Sequence, residues 1–96
     1  MTEQRADQLF EVALRRLGVR RQVREAQVRD AFAEVVGPAV APLCRAVSME
    51  RGVLCVATAH SALAHQLQLD SLRVVAALNA RIGADAVRRL RFVPMR

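Results

Sequence analysis

The chain has no tryptophan, no tyrosine and only three phenylalanines. A sheet that stacks bases on aromatic rings is therefore disfavoured. Lysine is also absent, so all fifteen basic side chains are arginine. The bland reading of that preference is a GC-rich genome, which does not explain the excess of basic over acidic residues. Two cysteines, Cys44 and Cys55, are too few for a disulfide scaffold and lack metal-ligand spacing. No long hydrophobic run occurs. The longest uncharged apolar stretch, Val35 to Leu43, is too short to cross a bilayer and holds Gly37, Pro38 and Pro42. The N-terminus, MTEQRADQ, is polar and acidic and lacks the character of a signal peptide. A cytoplasmic protein without membrane partners is expected. Phosphate-loop, GxGxxG and GXXG motifs are missing.

What is present is a small basic domain. The 96 residues are enough for one core and one domain, and 53% of them are hydrophobic. Nine acidic residues leave a net charge of +6. A domain this small and this basic seeks a polyanion.

The apolar spacing divides the chain into segments. Leu9, Phe10, Ala13, Leu14 and Leu17 share one face of a first helix over Ala6 to Leu17, which Gly18 is expected to stop. Val28, Ala31, Phe32, Val35 and Val36, extended by Val23, form the face of a second helix from about Arg20 to Val36, ended by Gly37-Pro38. Leu43–Met49 and Val53–Thr58 read as a β-hairpin around Glu50-Arg51-Gly52. For the first of these strands, Leu43/Val47 and Cys44/Ala46 both remain as inward sets. A long helix follows over about Ser61 to Ile82, with Leu63, Leu67, Val74, Leu78 and Ile82 on one side. Ala86 to Val93 closes the chain as a strand with Leu90 and Phe92 on one face and Arg89 and Arg91 on the other. The expected fold class is α+β in the order α-α-β-β-α-β, a three-stranded sheet with helices packed on one face. The whole chain, 1–96, reads as one domain, with a short flexible N-terminus over 1–5 and no C-terminal tail.

Catalysis finds little support. His60 and His65 are five residues apart and diverge by about 140° on a helix. Ser48, Ser61 and Ser71 lack a nucleophile-elbow context. Each cysteine reads as a buried reduced thiol. A protein without enzymatic activity, metal or cofactor is expected. The basic clusters are stronger. Arg15, Arg16, Arg20, Arg21 and Arg24 fall within ten residues, with Glu11 and Glu25 near enough along a helix to neutralise part of the charge. Arg89 and Arg91 make a second patch near Arg88 and Arg96. Without aromatic platforms, binding there is expected to be directed at phosphates and weakly sequence-selective. A helix-turn-helix at Gly18 remains one reading of the first two helices. Without GXXG, a KH-type chain lacks its usual nucleic-acid clamp.

Several segments in order resemble one known family. They are Phe32-Ala33-Glu34-Val35-Val36-Gly37-Pro38-Ala39-Val40-Ala41, Gly52-Val53-Leu54-Cys55-Val56, Ser61-Ala62-Leu63-Ala64-His65-Gln66-Leu67, Leu78-Asn79-Ala80-Arg81-Ile82-Gly83 and Leu90-Arg91-Phe92. This set, over about residues 9 to 93, resembles the DciA family of bacterial proteins that help place the DnaB-type replicative helicase on DNA. The resemblance implies a KH-like domain and a nucleoid-associated, ATP-independent protein. Its implied partners are the helicase and single-stranded or forked DNA. Phe32 and Leu63 stand where family members commonly carry tryptophan. Two alternatives stay open: an RNA- or ribosome-associated KH-like protein, and a pure protein-interaction module, which includes a homo-oligomer formed through the open sheet or the helix corner.

Overall fold

A computed structural model describes the backbone of residues 2–96 and the side chains of residues 5–96. The short flexible N-terminus expected over residues 1–5 lies almost wholly outside the described side chains. Helix α1 runs without a break over Thr2–Val36. The two separate helices expected on either side of Gly18 are therefore one, and the helix-turn-helix reading falls with them. Glycine inside a helix costs only about 1 kcal/mol. Gly18 is followed by Val19-Arg20-Arg21, which supplies neither proline nor a capping side chain. The helix stops at Gly37, which adopts a left-handed φ of 86° and donates its N–H to the Ala33 carbonyl at 3.1 Å.

A 3₁₀ turn over Ala41–Leu43 leads into strand β1, Cys44–Glu50, which pairs antiparallel with β2, Val53–Thr58. Arg51 and Gly52 join them with φ of 51° and 80°. Two successive positive φ values give the tight turn whose twist matches that of the flanking strands. A side chain added at Gly52 would meet Arg88 Cδ at 2.6 Å. Val47 is bulged out of the β1 ladder, between Ala46 opposite Val56 and Ser48 opposite Cys55. The bulge resolves the open question about β1: Cys44, Ala46 and Met49 face the helices, whereas Leu43 and Val47 are exposed.

Residues 61–82 form two helices rather than one, α2 over Ser61–Leu69 and α3 over Ser71–Ile82. The break is Asp70, at φ −91° and ψ 8°. Asp70 still donates its N–H to Gln66, and its carbonyl accepts from Val74, so the corner loses little backbone pairing. Leu67 and Val74 are both buried on either side of it. Strand β3, Arg89–Pro94, then returns parallel to β2, giving a mixed sheet in the order β1-β2-β3. The element order is α-β-β-α-α-β. The α+β class and the KH-like architecture stand as expected, but the first two helices have merged and the third has split.

The core lies between the helices and one sheet face. Val28, Ala31 and Phe32 from α1 meet Cys44, Ala46, Leu54, Val56 and Leu90 from the sheet, with Leu67, Val74, Leu78 and Val87 completing it. The opposite sheet face carries no helix. Residues 5–23 of α1 project beyond the core, and the molecule measures 60 × 29 × 20 Å.

Candidate nucleic-acid interface

The five arginines from Arg15 to Arg24 all lie on one rigid helix. At roughly 100° per residue, Arg16, Arg20 and Arg24 follow one another along one side at steps of about 6 Å. Arg15, Arg16 and Arg20 flank Val12 and Val19 around a shallow groove. Arg21 turns toward the face that meets the core farther along. All are exposed except Arg24, which is half-buried where the helix reaches the sheet. The expected neutralisation is slight. Glu11 reaches Arg15 at 3.7 Å between exposed groups, a pairing worth little. Glu25 pairs at 3.9 Å with Arg29, outside the cluster. Among the described residues, Arg16, Arg20, Arg21 and Arg24 have no acidic partner.

Arg89 and Arg91 project from the open sheet face, as the alternation of β3 predicts. The register adds neighbours that the sequence did not single out. Arg91 stands beside Cys55, which faces Ser48, and Arg89 stands beside Val53, which faces Glu50. These residues and Arg51 line an open cleft of about 410 Å³. Arg45 shares this face through its pairing with Ala57. Arg91 donates to the Cys55 sulfur at 3.5 Å, which helps explain why Cys55 is buried on a face without helices. Arg51 joins Arg89 only through strand pairing, and Arg45 lies at the other end of the same face, level with Val93. No local signal links residues 45 and 89.

The corner between α2 and α3 is where a KH domain carries its GXXG clamp. Here it reads Leu69-Asp70-Ser71-Leu72. Both leucines are exposed, at 72% and 87%, and Asp70 is paired with Arg73 at 3.5 Å. A carboxylate between two leucines repels phosphate and offers no close-approach backbone.

Other candidates resolve plainly. Cys44 points into the core and Cys55 to the open face, so the two thiols do not meet across the hairpin. Burial raises the Cys44 thiol above its ordinary value. His60 and His65 are exposed, and no cluster of potential metal ligands occurs among the described residues. Phe10 was expected on a core face but is 66% exposed, because its half of α1 passes beyond the sheet. Phe32, in contrast, is buried in the core, and Leu63 is half-buried against it. The Phe32 ring therefore serves packing and is shielded from bases. No helix among the described residues is long and apolar enough to cross a membrane.

No curated protein matches the chain. The family model described as "Dna[CI] antecedent, DciA" matches residues 5–92, which include both basic surfaces and the whole core. With that match joined to the KH-like architecture and the ordered motifs, the chain belongs to the DciA family, a helicase-loader family with a role in DNA replication.

Proposed function

We propose that this protein binds DNA and recruits or loads the DnaB-type replicative helicase, without ATP of its own. The observation that carries the reading is the run of Arg16, Arg20 and Arg21, without acidic partners among the described residues, on the part of α1 that projects into solvent, with half-buried Arg24 at its end. Arg15 adds to it, and Arg89 and Arg91 form a second phosphate-binding surface on the open sheet face. The reading makes the protein a positional device: the domain holds DNA and helicase together near the nucleoid. The absence of a phosphate-loop motif supports independence from ATP. The acid-bearing corner between α2 and α3 supports contact through α1 and the sheet rather than through a KH clamp.

The test is a titration of labelled single-stranded, duplex and forked DNA at several salt concentrations, with and without helicase. Neutralising about five to eight phosphates of a single strand gives a slope of log K against log salt of about −3.5 to −5.6. Replacing Arg16 and Arg20 together by glutamine reduces that slope by about 1.4. Affinity that is flat in salt refutes the phosphate contacts. Helicase binding without DNA binding makes the protein an adaptor.

A further inference from the structure

The exposed half of α1 carries an apolar line that the packed half repeats. Phe10, Ala13, Leu14 and Leu17 precede Val28, Ala31, Phe32 and Val35 by 18 residues each. That offset is five helical turns, so both sets lie on the same side of the helix. The second set seals the core. In the first, Phe10, Leu14 and Leu17 remain 66%, 51% and 60% exposed.

We infer that this line is a self-association surface, on which the exposed half of α1 pairs antiparallel with the same segment of a second copy. Three observations carry the assignment. First, Asp7, Phe10, Leu14, Leu17 and Arg21 are spaced three, four, three and four apart, the seam spacing of paired helices. Second, the seam is bracketed by opposite charges, Asp7 at one end and Arg21 at the other. A parallel copy sets Asp7 on Asp7 and Arg21 on Arg21. An antiparallel copy sets each Asp7 against the partner's Arg21, which favours the two-fold arrangement. Third, residues 5–23 make a helix of about 28 Å that packs on nothing else among the described residues and carries Gly18 in its last third. A lone helix of that length is marginal in water, and a second helix along the seam supplies the burial that it lacks. Arg15 and Arg16 lie away from the seam, so pairing leaves them facing solvent in both copies, whereas Arg21 is withdrawn from phosphate contact by the opposing Asp7 in the paired state.

The test uses the full chain and no DNA, so its outcome is independent of the DNA-binding reading. Sedimentation equilibrium over a wide concentration range should show a species of twice 10.6 kDa. Leu14→Glu should weaken association by about 100-fold or more while circular dichroism shows the core still folded. Asp7→Arg alone and Arg21→Asp alone should each weaken it about tenfold, and the two together should restore it. A single mass of 10.6 kDa at every concentration overturns the proposal. So does a dimer that ignores Leu14→Glu, or a charge exchange that restores nothing. A monomer whose helicase affinity falls on Leu14→Glu also overturns it and assigns the seam to the helicase.

Discussion

Asn79 holds together two parts of the fold that are not joined by the sheet. It lies on α3, one turn before Gly83 ends that helix. Its side-chain nitrogen donates to the Val87 carbonyl at 2.8 Å, and its oxygen accepts from the Val87 N–H at 2.8 Å. Both backbone groups of one buried residue are thus satisfied by one amide, just before β3 begins. Only an amide has a donor and an acceptor in that geometry. Asn79→Ala leaves both Val87 groups without a partner. Each unsatisfied group costs about 1–3 kcal/mol, and water reaching the half-buried site limits the sum to about 2–4 kcal/mol. Against the roughly 5–15 kcal/mol that holds a small domain folded, that is a large fraction. At about 4–8 °C per kcal/mol, the melting temperature falls by about 8–30 °C. The assay is thermal and urea unfolding at fixed protein concentration, followed by circular dichroism. Asn79→Asp sharpens it. The carboxylate still accepts from the Val87 N–H but faces the Val87 carbonyl with no proton to donate. Its folded-state pKa is thereby raised above the unfolded value of about 3.9. The stability that its proton confers is present in full below the unfolded value and is lost as pH rises through the folded one. The loss relative to wild type therefore shrinks on acidification. An Asn79→Ala protein that melts within about 4 °C of wild type refutes the clamp.

Gly18→Ala should stabilise the protein by about 0.5–1 kcal/mol, because Gly18 is helical and an added Cβ meets nothing within 4 Å; unchanged or lower urea stability would count against a continuous helix. Phe32→Trp should fold with a loss below about 1.5 kcal/mol, since a cleft of about 230 Å³ adjoins Phe32, whereas Phe32→Ala should cost about 3–5 kcal/mol; chemical denaturation separates the two. Stability should fall as pH rises beyond about 9. The buried Cys44 thiol has its folded value raised, so the unfolded chain gives up that proton first, and with no lysine or tyrosine few other groups titrate there. Cys44→Ala should flatten the alkaline limb of a melting-temperature profile against pH.

How far the sequence revealed the fold depended on whether a feature was local. The hairpin was legible because Arg51-Gly52 supplies two consecutive residues for one tight turn, and the end of α1 was legible from Gly37-Pro38. Leu90 and Phe92 against Arg89 and Arg91 gave β3 both its faces. Gly18 misled because a glycine weakens a helix without breaking it, and the apolar line runs in phase across it. Asp70 misled in the opposite sense: Leu67 and Val74 are seven apart, as in a straight helix, yet a corner lies between them. The inner face of β1 depended on the bulge at Val47, which shifts the alternation midway along the strand. The basic residues of α1 were legible as a cluster, but their distribution around the helix required its continuity. Arg51 reaches the neighbourhood of Arg89, and Arg45 the same sheet face, only through the sheet register, and Asn79 meets Val87 only through the chain's return.

The same contrast bears on where the proposed DNA contacts lie. A KH clamp needs glycines that let the phosphate backbone come close, and Leu69-Asp70-Ser71-Leu72 offers bulk and negative charge instead. The core has kept the scaffold that would position such a clamp while the clamp itself is missing. Positive charge instead occupies two surfaces that the core does not need: the projecting half of α1 and the sheet face left bare by the helices. Arg16 and Arg20 are exposed and do not contribute to the core, so changes there should alter binding with little effect on folding. The sheet face differs, because Arg91 also covers Cys55. Arg91→Ala should therefore cost some stability as well as affinity, whereas Arg89→Ala should reduce affinity alone. Paired unfolding and salt-titration curves distinguish the two. Equal loss of stability in both variants would mean that the arginine cover over Cys55 has no structural weight.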